Sequence, residues 1–254
     1  MKIEVLFPEI CNLYGDPGNV SYLARSLDKA VKVSDGKPIY DVEIVETHLT
    51  DNPLFIREQP DLIYMGTMTE KSQKLAIARL SRYKKELAAA IEKGYNFLLT
   101  GNAAEVFGNA IIEDDVEVAR GLGLIDIEAR RSSIDRYNSL YVGRFDCEGA
   151  GEIKVVGYKT TFGFIYGNDL EKKFLDTEVG YGSNLETTNE GIIINNLYAT
   201  YLTGPLFPYN PLFMKWYMRE KLGAECQPAF YDAALTAYYA RLEEYTAPGK
   251  GWKY

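Results

Sequence analysis

Tyr95-Asn96-Phe97-Leu98-Leu99-Thr100-Gly101-Asn102-Ala103-Ala104-Glu105 runs from an apolar strand into a glycine turn and then into helix-forming residues. A short apolar run that stops abruptly at Gly-Asn reads as a buried strand handing the chain to a helix. Upstream, the same alternation recurs. Ile3 to Phe7 reads as a first strand, followed by the turn-rich loop Asn12-Leu13-Tyr14-Gly15-Asp16-Pro17-Gly18-Asn19. A helix is predicted from an N-cap at Asn19, with Val20, Leu23, Leu27, Ala30 and Val31 on one face. Val42–Val45 and Asp61–Gly66 are the second and third strands. One long helix is predicted from Glu70, with Ala76, Leu80, Tyr83, Leu87 and Ile91 in line and Gly94 as its stop. Strands alternating with helices imply an α/β fold: a doubly wound, mostly parallel sheet flanked by helices, a flavodoxin-like three-layer arrangement. Ligands of such sheets sit at the carboxyl ends of the strands.

Downstream of about Ser139 the pattern turns to strands: Leu140–Phe145, Ile153–Thr161, Gly163–Tyr166 and Ile192–Thr200. A helix after Pro211 and another from Pro228 to about Tyr245 close the chain, and 247–251 reads as a frayed tail. No repeat or linker interrupts the sequence. Residues 1–225 read as the main domain and 226–254 as a helical extension packed on it.

Hydrophobic residues make up 46% and charged residues 25% of the 254 residues, ample material for a buried core. The formal net charge of −8 argues against nucleic acid or an anionic membrane as partner, since both repel that field. Cys11, Cys147 and Cys226 are odd in number and far apart, which is neither a disulfide framework nor a zinc site, so a reducing compartment is expected. The opening residues lack a signal peptide, and no apolar stretch approaches membrane-spanning length, so a cytoplasmic location is expected. No phosphate-binding glycine signature appears, and no cofactor or metal is expected. The acidic trio Glu113-Asp114-Asp115 reads as a solvated turn.

Four segments together resemble the CobB/CobQ-like class I glutamine amidotransferases, most closely the small stand-alone subunit that pairs with a Mur-ligase-like protein in cell-wall isoglutamine formation. The first is the Asn12–Asn19 loop, similar to Asn-Leu-Tyr-Gly-Asp-x-Gly-Asn. The second is Asp61–Gly66, similar to a strand ending in a glycine run. The third is Thr100–Gly108, placed like Ile-Cys-Gly-Gly-Tyr-Gln-Leu-Leu-Gly. The fourth is Tyr201–Pro211, similar to Tyr-Leu-His-Gly-Pro-Leu-Leu-Pro-x-Asn-Pro. Each is weak alone; their order across residues 1 to about 223 is specific.

The resemblance implies ammonia release from glutamine through a cysteine thioester, with a histidine moving the proton and backbone N–H groups holding the oxyanion. The sequence departs from it at the reactive positions. Gly101 stands where the cysteine belongs and Thr203 where the histidine belongs. The glycine run reads Gly66-Thr67-Met68, and a Glu-x-His pair is met by Lys159 and Thr161. Loss of nucleophile or base alone costs on the order of 10⁶ in turnover. A non-glutaminase acting as a binding or structural partner is therefore expected, docking a second protein or itself. Tyr198–Tyr209 and the aromatic stretch Phe213–Met218 are its candidate interface, with core packing as the competing reading. An enzyme reusing the same cleft for other chemistry stays open. A relocated pair, Cys11 with His48, is a further alternative, as both follow neighbouring strands. Beside Gly101 and Thr203, the cleft candidates are Asn12, Asp16, Gly66, Thr67, Met68, Asn102, Glu105, Lys159 and Thr161.

Overall fold

The apolar run ending at Thr100 forms an inner strand of a six-stranded sheet, with buried residues on both faces. A computed structural model describes residues 1–30, 39–147 and 151–249. Its strands are β1 (Lys2–Leu6), β2 (Glu43–Thr47), β3 (Leu62–Met65), β4 (Phe97–Thr100), β5 (Ala110–Glu113), β6 (Val116–Arg120) and β7 (Glu128–Arg131). They continue with β8 (Tyr137–Asp146), β9 (Glu152–Thr161), β10 (Gly163–Tyr166), β11 (Leu175–Val179), β12 (Asn189–Glu190), β13 (Ile192–Ile194) and β14 (Leu197–Thr200). The helices are α1 (Pro17–Asp28), α2 (Glu70–Leu80), α3 (Lys84–Glu92), α4 (Ala103–Phe107), α5 (Leu206–Tyr209), α6 (Pro211–Leu222) and α7 (Tyr231–Thr246).

The main sheet has the order β13-β14-β4-β3-β1-β2. All neighbours are parallel except β13, which runs antiparallel at one edge. This is the expected parallel sheet, and β3 and β4 are buried along their whole length, as strands covered on both faces must be. The second half adds two four-stranded sheets, β10-β7-β5-β6 and β12-β11-β8-β9. Thr100 and Thr200 lie side by side in the β4–β14 register, so the two strands deliver Gly101 and the Tyr201–Thr203 segment to one edge of the sheet.

Several local expectations are corrected. The helix starts at Pro17, whose fixed φ suits a first helical position; Asn19 is inside it and buried, its amide joining Tyr64 Oη and the Phe207 N–H. The long helix from Glu70 is two helices, α2 and α3, separated by a 3₁₀ turn at Ser81–Tyr83. There Ser81 Oγ donates to the Ile77 carbonyl and the Tyr83 ring packs edge-on against Phe55. Ile192–Thr200 is a hairpin rather than one strand, because Asn195 takes a left-handed φ of 53°. The final helix begins at Tyr231 rather than Pro228. Val31 and residues 250–251 of the expected tail lie outside the described residues.

Helix α7 lays Tyr238, Leu242 and Tyr245 against Val142 and Val156, and Tyr238 Oη donates to the Lys154 carbonyl. Of the two readings of the aromatic stretch, interface or core, the structure supports core packing for its largest rings. Tyr198, Phe213, Trp216 and Tyr217 are buried and pack, mostly edge-on, against Phe145, Phe174 and Phe207. The covered face of α6 needs bulky apolar groups to fill the space between two sheets, and aromatics supply the volume. No described helix is long and apolar enough to cross a membrane.

Candidate functional site

A cleft of about 290 Å³ opens at the carboxyl ends of β3 and β4. Thr67, Met68, Gly101, Asn102, Glu105, Thr161 and Thr203 line it, so the structure gathers most of the candidate residues. Asn12, Asp16, Gly66 and Lys159 are not in its lining. Asn12 is exposed and donates to the Pro8 and Glu9 carbonyls. Asp16 and Gly66 lie behind the wall, and Lys159 is buried beside it.

The turn after β4 has the strained form expected where a strand feeds a helix: Gly101 sits at φ 59°. The space in front of it is taken. A Cβ on Gly101 would lie 2.0 Å from Thr67 Oγ1 and 2.8 Å from Thr67 Cβ and Cγ2. Thr67 is a short β-branched side chain and is pinned: its N–H and Oγ1 both donate to Asp16 Oδ2 at 2.5 Å. Thr100 Oγ1 donates to the same oxygen at 2.9 Å. Asp16 is fully buried, and that burial outweighs the three bonds and pushes its carboxyl up to about 6. Gly66 is needed for this approach, since a Cβ there would meet the Cys11 carbonyl oxygen at 2.9 Å and Asp16 Oδ2 at 3.2 Å.

Backbone donors are engaged as well. Asn102 accepts the Met68 N–H at 3.0 Å and donates back to the Met68 carbonyl at 2.9 Å, so one side chain occupies both backbone polar groups of Met68. The Thr67 N–H is held by Asp16. Thr203 donates its hydroxyl and its N–H to the Tyr158 carbonyl, which makes it a bracing residue between β9 and the Gly204–Pro205 loop. A threonine hydroxyl so placed is no proton acceptor near neutral pH.

Glu105 forms the floor. It accepts from Gln73 Nε2 at 2.8 Å and Tyr201 Oη at 2.7 Å and faces Arg131 at 3.8 Å. Burial pushes its carboxyl up. Arg131 also donates to Glu113 and to Gln73 Oε1. On the far side of Tyr201, Glu190 accepts its backbone N–H, the Thr200 hydroxyl and, at 3.3 Å, Lys159 Nζ. Burial pushes Lys159 down, with Glu190 opposing, and its ammonium also donates to the Gly182 carbonyl. Lys159 thus holds β9 against β12 and offers nothing to a ligand.

The relocated Cys11–His48 pair is not formed. Cys11 is buried against Met68 Sδ, and burial pushes its thiol up, away from the reactive thiolate. His48 is exposed and faces Glu9 and Glu46. No metal-ligating cluster is found among the described residues.

Sequence reasoning missed the outer wall: Tyr14, Arg130, Arg131, Arg136, Phe162 and Tyr201 all line the cleft. The tandem Arg130-Arg131 at the end of a strand, in an acidic protein, was the available signal. Arg136 donates to Thr160 Oγ1 at 2.9 Å and Tyr14 Oη at 3.2 Å, with its guanidinium over the Phe162 ring.

The model of the CobB/CobQ-like glutamine amidotransferase domain matches residues 2–211. The lipid II isoglutaminyl synthase (glutamine-hydrolyzing) subunit GatD of Staphylococcus aureus is 32% identical over 200 residues, covering 78% of this chain and 75% of that protein. The same-named subunit of Streptococcus pneumoniae is 22% identical over 254 residues, covering 97% of this chain and 90% of that protein, a span that includes much of the C-terminal segment. Among solved structures, PurLQS of Thermotoga maritima superposes with a TM-score of 0.52 at 13% identity, covering 95% of this chain and 98% of that one. A glutamine amidotransferase of the same organism gives 0.50 at 9% identity, covering 95% and 93%. At such identities the superpositions speak for the fold alone.

Proposed function

This chain belongs to the CobB/CobQ-like glutamine amidotransferase family, and from that premise we propose that it is a non-hydrolysing member serving as the amidotransferase-like subunit of a larger assembly. The observation that carries this reading is the Thr67 side chain, which fills the space that any side chain at residue 101 requires. A thioester mechanism needs a nucleophile there, a base opposite and free N–H groups at the oxyanion. In their places stand a glycine, a threonine bonded to a carbonyl, and N–H groups committed to Asp16 and Asn102. Restoring chemistry would take several coordinated changes, because Thr67 and Asn102 must vacate before a cysteine at 101 could meet a substrate.

The two curated relatives are each a subunit of a synthase, which supports association with a synthetase-type partner, of the Mur-ligase-like kind. Two measurements test the reading. Purified protein given glutamine should release no ammonia, and an electrophilic glutamine analogue should add no mass. Ammonia release abolished by Cys11→Ser or His48→Gln would overturn it and establish the relocated pair. Co-expression with a Mur-ligase-like protein from the same genome, followed by light scattering, should give a stable complex; a strict monomer would instead favour a small-molecule role for the cleft.

A further inference from the structure

Most of the polar groups on the floor of the cleft are satisfied from within; at its mouth one cation is not. Arg130 and Arg131 are both ion-paired, to Glu128 and to Glu105 with Glu113. Arg136 is held only by two neutral hydroxyls and an aromatic ring, with no carboxylate of the described residues within ion-pair distance. A guanidinium has five N–H donors, and these contacts engage two. The ring and the hydroxyls fix its plane, so little side-chain entropy remains to be lost when an anion arrives.

The surroundings of Arg136 are open and mix hydroxyls with aromatic rings. Tyr14, which receives one of its bonds, is 48% exposed, and Ile134, two residues before it in the same turn, is 84% exposed. A tyrosine bonded to a pre-oriented arginine is a pair of residue types enriched at the centres of protein interfaces, and Ile134, two residues along the chain, adds an exposed apolar group next to it. A small carboxylate seated in the cleft would satisfy Arg136 but leave Ile134 in water. An occupant that covers both must extend past the rim.

We propose that the mouth of the cleft seats an extended segment of a protein partner, which lays an acidic side chain on Arg136 and apolar side chains on Tyr14 and Ile134. This rests on the non-hydrolysing reading, since Thr67 closes the floor and leaves the rim as the usable surface. Charge complementarity carries the choice of an acidic segment, and the exposed Ile134 carries the choice of a peptide over a free carboxylate.

The probe is a pair of end-capped, fluorescently labelled heptapeptide pools, identical but for a central Glu or Gln, titrated against the intact chain by fluorescence anisotropy. The Glu pool should bind about tenfold more tightly, as expected for one charge-assisted, partly shielded pair. Arg136→Gln should erase that preference, Arg136→Lys should keep part of it, and Ile134→Ser should weaken both pools. Equal binding of the two pools, a preference that survives Arg136→Gln, or displacement by free glutamate at peptide-like concentrations would overturn the proposal. Ammonia release measured on the same preparation reports on the non-hydrolysing reading alone, so the two can fail separately.

Discussion

The floor and the mouth of the cleft are built on opposite rules. On the floor, Thr67, Asn102, Glu105, Arg131 and Tyr201 bond to one another, to adjacent backbone or to Asp16 behind them, and Glu190 with Lys159 extends the network. At the mouth, Tyr14, Ile134 and Arg136 are open to solvent, and the arginine lacks a counter-ion among the described residues. Buried polar groups destabilise the fold unless they are satisfied, and those of the floor find their partners within the protein, while Asp16 Oδ1 behind them has none among the described residues. The mouth is under no such constraint. The floor should therefore respond to mutation through stability and the mouth through binding.

The largest break in that comparison should come from Lys159→Met. It leaves Glu190 fully buried with its charge unmatched, and removing one partner of such a pair costs about 3–5 kcal/mol. Chemical denaturation should show a large loss in midpoint. A loss below about 1 kcal/mol would mean that Glu190 is held by Thr200 and the Tyr201 N–H alone, or takes up a proton.

Next in size is Gly101→Ala. A left-handed φ costs an L-residue about 1–2 kcal/mol, and overlap with Thr67 adds about 1–3 kcal/mol. Adding Thr67→Gly should recover the overlap and keep the backbone strain, giving strong non-additivity in a double-mutant cycle. Additive losses would show that Thr67 does not stand where a side chain at 101 would go.

How much of this was legible beforehand follows from contact range. The Gly101 turn and the Gly204–Pro211 segment were readable because their glycine and proline residues mark the turns locally, whatever holds them from afar. Pro211 opens α6, and Asn210, just before it, bonds across to Val156. That Thr67 plugs the turn was not readable, since it depends on two loops 34 residues apart meeting at the sheet edge. Lys159 looked like a cleft residue by its place in the motif, yet its ammonium is drawn to Glu190 and the Gly182 carbonyl, while Thr160 and Thr161 at the end of β9 reach the cleft. Strands β5 to β7 were missed because charged residues such as Glu117, Arg130 and Arg131 dilute the apolar signal on half-exposed sheets. The Arg136–Tyr14 contact spans 122 residues and has no local trace.

Asp16 should give a smaller effect, visible through pH. Its carboxyl, pushed up to about 6, binds a proton more tightly in the folded than in the unfolded state. The native state therefore holds more protons between the ordinary aspartate range near 4 and about 6, and stability contributed by this group falls as pH rises through that window. Because Glu4 and Glu105 are also raised, the measurement is the difference between wild type and Asp16→Asn. That difference should shrink by on the order of 1–2 kcal/mol from pH 4 to pH 7. A difference that instead grows would mean that the donors Thr67 and Thr100 outweigh burial.

The smallest stability effect belongs to the mouth. Arg136→Ala removes two hydrogen bonds to exposed hydroxyls and a contact with one ring, all in reach of water. Water replaces such partners at little cost, and surface changes of this kind stay within about 0.5 kcal/mol. Thermal denaturation of the variant should therefore overlay the wild type. The comparison sharpens if the same variant loses the preference for acidic peptides, because then stability and binding part company at one residue. A clear drop in stability would place Arg136 with the floor as a strut joining the Tyr14 loop to β9, and the mouth would cease to be a separate surface.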